Sequence, residues 1–235
     1  MLTTLVVLLA LVGAWSIWRT FTGPPGIGHF DDADGQRAYL DAYRKAFAVL
    51  PEPTTVHDLP TNWGTVRAYE WAGPADAPDT PVLLMPGRSS GVPMWLDNLP
   101  HYLASHRVIA MDALGDAGLS VQGTPLTSFD EQAAWIDQVV SQLAPGGAHL
   151  VGHSFGAATA ATYASVHPER VRTLVLLEPV FTLGWPPAGV FAQALVASLP
   201  FLPKSVRNRA LGGIGGADFD GSDPMAAMIS EATQH

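Results

Sequence analysis

The chain has 235 residues, 48% of them hydrophobic and 14% charged, a balance that excludes a disordered protein and is long enough for one sizeable core. The formal net charge is −9 and only Lys45 and Lys204 are lysines, with no basic run, which argues against a nucleic-acid partner because phosphate neutralisation needs clustered cations. There is no cysteine, so disulfide scaffolds, cysteine-ligated zinc and thiol catalysis are excluded, while either redox compartment stays open.

Met1 to Trp18 carries no charge, and as a helix this stretch would span about 27 Å, close to the hydrocarbon thickness of a bilayer. Residues 1–22 are therefore expected to be a membrane anchor or signal segment, with membrane association through residues 1–18. Trp15 and Trp18 would sit at one interface and Arg19 at its flank. A cleaved secretory signal is the alternative, giving a secreted or cell-envelope protein, but the positive n-region is missing; a structural helix is the third reading. Residues 23–54 read as a linker and an N-terminal helix. Gly23-Pro24-Pro25-Gly26 cannot continue a helix, and Asp31, Asp32 and Asp34 precede a helix expected from Gln36 to Val49, where capping explains the acids better than a metal does.

From residue 55 to 180 the pattern changes. Thr55–Leu59 and Thr65–Trp71 predict two strands joined across Pro60–Gly64. Val82–Met85 is a continuous apolar run of the kind found in buried parallel strands. A helix from Met94 to Ser105, a strand from Arg107 to Asp112, a helix from Phe129 to Leu143, a strand from Ala148 to Val151, a helix from Phe155 to His167 and a strand from Thr173 to Glu178 follow. Strands alternating with helices predict an α/β fold with a doubly wound, mainly parallel sheet.

Gly152-His153-Ser154-Phe155-Gly156 matches the G-x-S-x-G pattern, with a buried strand running into it and an alanine-rich helix running out. A serine hydroxyl needs a base to become a nucleophile, so it must project from the sheet edge, and a tight strand-to-helix turn does this at the cost of crowding that the two glycines relieve. The helix also aims its N-terminus at the centre where negative charge develops.

Four stretches together resemble the α/β-hydrolase superfamily, in particular its esterase, lipase and haloperoxidase-like serine hydrolases: Leu83 to Ser90, the Asp112 to Ser120 loop, the Gly152–Gly156 elbow, and His167 to Val171 continuing through Leu174 to Pro179. The resemblance implies Ser154 as nucleophile and the backbone N–H groups of Phe155 and Arg88 as an oxyanion hole, with Gly87, His153 and Trp95 near the substrate. Pro86 stands where the family often has histidine, and Asp116 and Ala117 shift the glycine spacing of the second stretch. The Arg88 side chain reads equally as a solvated loop cation or as a contact for a substrate carboxylate.

In such proteins the acid and then the histidine follow the nucleophile along the chain. Neither of the strands that would carry them is recognisable here, so the sequence is expected to be C-terminally truncated, a fragment of a longer chain. Residues 181–235 read as a helical cap or lid: Phe181–Leu202 is rich in Pro, Ala, Leu and Trp, Arg207–Gly216 follows, and a polar tail runs to His235. Glu178, ending its strand at the carboxyl edge of the sheet, is the candidate acid, with a structural carboxylate as the alternative. His153, His149, His101, His106, His167 and His235 read as structural, solvated or terminal rather than as the base. Asp218, Asp220 and Asp223 read as solvated loop acids rather than calcium ligands. The expected function is hydrolysis of a small-molecule carboxylic ester through an acyl-enzyme, requiring no metal or other cofactor. The alternative is a truncated or non-catalytic relative that binds ligands or partners.

Overall fold

The computed structural model describes residues 26–199, 202–215 and 223–233. Helix α1 (Ala33–Phe47) starts at Asp32, whose carboxylate accepts the Gly35 N–H at 2.7 Å, and carries Asp34 in its first turn and Arg44 and Lys45 in its last. The acid cluster thus caps the helix and matches its dipole. Strands β1 (Thr55–Thr61) and β2 (Gly64–Trp71) pair up to Thr61 opposite Gly64, so Asn62 and Trp63 alone join them, a tighter turn than the sequence pattern predicts. The Thr61 hydroxyl donates to the Gly64 carbonyl at 2.8 Å and closes that turn.

Strands β3 (Val82–Met85) and β4 (Val108–Met111) are buried along their whole length. The single helix expected from Met94 to Ser105 is instead a 3-10 turn, Val92–Trp95, followed by the short helix α2 (Leu99–Leu103), each opening on a proline in its first turn. A two-residue strand β5 (Val121–Gln122) pairs with β2 and is too short to carry a periodic signal. Helix α3 (Phe129–Leu143) is capped by the Ser128 hydroxyl, which accepts the Glu131 N–H. Strand β6 (Ala148–His153), helix α4 (Phe155–Val166) and strand β7 (Val171–Leu177) complete the core. The sheet order is β1-β2-β4-β3-β6-β7; β2 runs antiparallel to β1 and β4, and β4, β3, β6 and β7 are mutually parallel.

Alternation along the central strands builds two apolar layers. Leu83, Met85, Ile109 and Met111 pack with Ile136 and Val139 of α3 and Tyr163 of α4. Val82, Leu84, Val108 and Ala110 pack on the opposite face with Trp95, Leu99 and Leu50. Beyond β7, helices α5 (Ala188–Ala197) and α6 (Lys204–Gly215) lie against each other, held by buried Arg207, which donates to the carbonyls of Ala197 and Thr233. The polar tail expected after residue 216 contains a helix, α7 (Pro224–Ala232), which packs on α1 and buries Met228 with Tyr39, Tyr43 and Ala46. Asp223 caps α7 through the Met225 N–H. Asp218, Asp220 and His235 lie outside the described residues, as do residues 1–22, where the anchor or signal segment is expected. Among the described residues no helix is long and apolar enough to cross a membrane.

A buried carboxylate joins these parts. Asp112, at the end of β4 and wholly buried, accepts the Val92 N–H at 2.9 Å, the Leu119 N–H at 2.8 Å and the Tyr43 hydroxyl at 2.9 Å. Burial pushes its pKa up to about 6, against the pull of those three donors. The folded state therefore binds more protons than the unfolded chain between about pH 4 and 6, and the stability that Asp112 contributes falls as pH rises through that window. Asp112→Asn turns an amide N–H toward one or two of the donors and is expected to cost about 2–4 kcal/mol, read from urea denaturation. The stability gap between wild type and this variant should narrow as pH rises from about 4 to 7, by the same proton linkage; a gap that widens would contradict the assignment.

Candidate active site

Between β6 and α4 the chain turns at Ser154, which has φ 52° and ψ −114° and is fixed on both sides. Its N–H donates to the Leu177 carbonyl at 2.9 Å, and its own carbonyl accepts the N–H groups of Ala157 and Ala158. A residue other than glycine at such a φ stores on the order of 1–3 kcal/mol. The flanking glycines make the turn possible. A Cβ on Gly152 would stand 2.5 Å from the Gly156 carbonyl oxygen, and one on Gly156 would fall on the carbonyl oxygens of Met85 and Pro86. Among the described residues neither the Ser154 hydroxyl nor the Phe155 N–H has a hydrogen-bond partner.

The loop after β3 lies directly against this turn. A Cβ on Gly87 would come within 2.6 Å of His153 Nδ1 and 3.2 Å of Ser154 Cβ. The Gly87 N–H points at Met94 Sδ, 3.2 Å away, and the Ser89 N–H donates to Asp116 Oδ2 at 2.7 Å. Between them the Arg88 N–H has no acceptor among the described residues. Asp116 also accepts the Ala117 N–H at 2.9 Å, so one carboxylate pins the loop that presents Arg88. Burial raises the Asp116 pKa and the positive charge of Arg88 opposes that shift. The Arg88 guanidinium itself is exposed. Asp116, which in the sequence is only a break in the glycine spacing, and Met94, which carries no motif signal, both hold the loop from outside the motif.

His153 keeps Nδ1 buried without a partner among the described residues, and its Nε2 lies 3.5 Å from Glu178 Oε2. Glu178, at the end of β7, has φ 47° and an 86% exposed side chain. The structure therefore brings Ser154, Phe155, Gly87, Arg88, His153 and Glu178 to one sheet edge. Trp95 is not there: it is 1% exposed, in the apolar layer beneath β3 and β4, and no substrate can reach it. Among the described residues no histidine is hydrogen-bonded to Ser154. His57 pairs with Glu70, His149 with Thr173, His106 with Ser105, and His167 lies near Asp137 and Glu169 beyond the far end of α4. No group of three or more metal-ligating side chains is gathered among the described residues.

A strained serine at a strand-to-helix turn, with free backbone N–H groups from two loops beside it, is the architecture of one fold family, and the model of the alpha/beta hydrolase fold family matches residues 80–214. The chain belongs to that family. Among curated relatives, the chain is similar to a protein named uncharacterized carboxylesterase nap of Bacillus subtilis (strain 168), 25% identical over 150 residues, covering 64% of this chain and 49% of the relative. It is also similar to carboxylesterase YbfK of the same organism, 28% identical over 141 residues, 60% of this chain and 47% of the relative. The chain thus spans about half the length of these relatives. Of solved structures, naproxen esterase (carboxylesterase NP) from Bacillus subtilis superposes with a TM-score of 0.75 at 19% identity, over 88% of this chain and 70% of that one, a likeness of fold.

The packing at the elbow gives a direct test. Gly156→Ala is expected to destabilise the protein by about 3 kcal/mol or more, since backbone on the facing loop cannot retreat from the new methyl. Gly146→Ala, where nothing lies within 4 Å, should stay within about 0.5 kcal/mol of wild type in the same thermal melts.

Proposed function

We propose that this hydrolase cleaves small-molecule carboxylic esters through an acyl-enzyme on Ser154. A general base takes the Ser154 proton as Oγ attacks the carbonyl carbon, and the oxygen that becomes negative accepts the N–H groups of Phe155 and Arg88. Collapse of the tetrahedral intermediate expels the alcohol, which takes the proton back from the base, and water then repeats the sequence on the acyl-enzyme. The observation that carries this reading is a strained serine whose hydroxyl, like the N–H groups of Phe155 and Arg88, has no partner among the described residues. Backbone donors that the folded chain leaves without an acceptor are free to take a ligand oxygen. The two Bacillus relatives named as carboxylesterases support the substrate class.

Glu178 offers a carboxylate at the same sheet edge, where it would orient a base imidazole by holding its far nitrogen. The base itself is not among the described residues, and because the chain spans about half of its curated relatives the activity is proposed for the whole protein. That no described histidine bonds Ser154 favours a second reading, a hydrolase-like protein that binds acyl ligands without turning them over.

A fluorophosphonate probe is expected to label the whole protein at Ser154, and Ser154→Ala should abolish labelling and lower p-nitrophenyl ester turnover by about 10³-fold or more. Equal labelling of the alanine variant overturns the nucleophile assignment. Binding of an acyl ligand without turnover by the whole protein favours the second reading.

A further inference from the structure

At the end of the sheet opposite Ser154, two histidine rings meet beneath the start of β3. Val82, the first residue of β3, is in register with Val108 on one side and with His149 on the other. Backbone bonds fix both neighbours on one dipeptide step: the Val82 N–H donates to the Arg107 carbonyl and the His149 N–H to the Pro81 carbonyl, each at 2.9 Å. His106, next to Arg107, is backed by Gly73, where a Cβ would stand 2.6 Å from the His106 carbonyl carbon. The half-buried rings of His106 and His149 are thereby held at a centroid separation of 5.5 Å, their planes at 77°.

Each ring is engaged at one nitrogen and open at the other. His106 Nδ1 lies 2.8 Å from the Ser105 hydroxyl and His149 Nδ1 2.8 Å from the Thr173 hydroxyl, while among the described residues neither Nε2 has a hydrogen-bond partner. A proton on Nδ1, donated to the hydroxyl oxygen, leaves the Nε2 lone pair for a metal; such an outer bond is what ordinarily orients a ligating imidazole. A zinc ion about 2.0–2.1 Å from a ligating nitrogen stands about 3.2 Å from the ring centroid, so two rings sharing a tetrahedral ion have centroids about 5.2 Å apart. The observed separation is close to that. Burial, with the charges of His106 and Arg172, lowers the His149 pKa from its ordinary value, so this ring is neutral at pH 7, the form that binds a metal. An anion finds a poorer site: the neutral ring offers it no charge, and Arg172 already donates to the Gly146 carbonyl at 2.6 Å.

We infer that His106 and His149 form a two-histidine site for a borderline divalent cation of the Zn²⁺ kind, with water completing the coordination. Imidazole suits zinc, nickel and copper, whereas magnesium and calcium take oxygen ligands. The ion ties the entry of β4 to the start of β6 and stabilises the sheet at the end away from Ser154, independently of the esterase reading. Exposed Arg172 opposes the ion through solvent, which keeps the affinity modest.

The test uses the full chain without a polyhistidine tag. Calorimetric titration with Zn²⁺ is expected to show binding that His106→Gln and His149→Gln each weaken by about tenfold or more, and Thr173→Val by about tenfold through the lost outer bond. His101→Gln, exposed on α2, should leave it unchanged. Zn²⁺ at tenfold excess over its Kd should raise the thermal midpoint of the wild type by about 3 °C, and Mg²⁺ should not. Glutamine at 149 keeps a partner for the Thr173 hydroxyl, and melts without metal show that each variant folds. Arg172→Gln should tighten Zn²⁺ binding by about twofold or more, since it removes a like charge. Zn²⁺ binding undiminished by both histidine substitutions overturns the proposal, as does a midpoint that Zn²⁺ leaves in place. So does stabilisation by inorganic phosphate that Arg172→Gln abolishes, which would make the occupant an anion.

Discussion

The carbonyl oxygens of Met85 and Pro86 approach α4 so closely that position 156 has no room for a Cβ, and the site depends on that contact. It brings the loop after β3 onto the elbow after β6. Arg88 and Phe155, far apart in sequence, then stand on two connections that meet at the Ser154 turn. The same closeness explains why the pattern needs glycine on both sides of the nucleophile: Gly152 faces the first turn of α4 and Gly156 faces the neighbouring strand. Nothing in the chemistry of serine requires these glycines; the packing around it does.

Asp112 acts one layer further out. It ties the turn that follows the β3 loop, through Val92, to the β4–β5 loop, through Leu119, and both to α1, through Tyr43. Asp116 on that loop in turn holds Ser89. The chain from α1 to the loop that carries Arg88 is thus a series of hydrogen bonds to two buried or partly buried carboxylates, each raised in pKa by its burial. A buried carboxylate with three donors is costly to form and costly to disturb, which favours a single arrangement of these loops over a set of near-equivalent ones. The packing of α7 on α1 extends the same frame to the C-terminal part of the described residues.

Much of this was legible in the sequence because the central strands are short, wholly apolar and separated by amphipathic helices, as Val82–Met85, Val108–Met111 and Phe129–Leu143 illustrate. The elbow was legible because its constraint is local: strand, glycines, serine and helix lie within a few residues of one another. What escaped depends on contacts between distant segments. Trp95, expected near the substrate, is turned into the core by the 3-10 turn at Val92. Asp116 looked like an irregularity of spacing, and its partner Ser89 is 27 residues away. Helix α7 was hidden in a polar tail because its apolar face is short and finds its partner only on α1.

Strain follows the same map. Among the described residues, the non-glycine positions with positive φ are Ser89, Ser154, Glu178 and Phe181. All four lie in the connections just past the carboxyl ends of β3, β6 and β7, and none lies at the opposite end of the sheet. Such backbone persists only where surrounding contacts over-determine it, and here those contacts are named: Asp116 holds Ser89, and Leu177 together with the first turn of α4 holds Ser154. Glu178 and Phe181 have no comparable restraint, since Glu178 is mostly exposed and Phe181 meets Trp185 on the surface. Strain is thus held tightly at Ser154 and loosely beside it on the same edge. The elbow and the loop after β3 are held by these contacts, which is what electrostatic preorganisation would require of the proposed site.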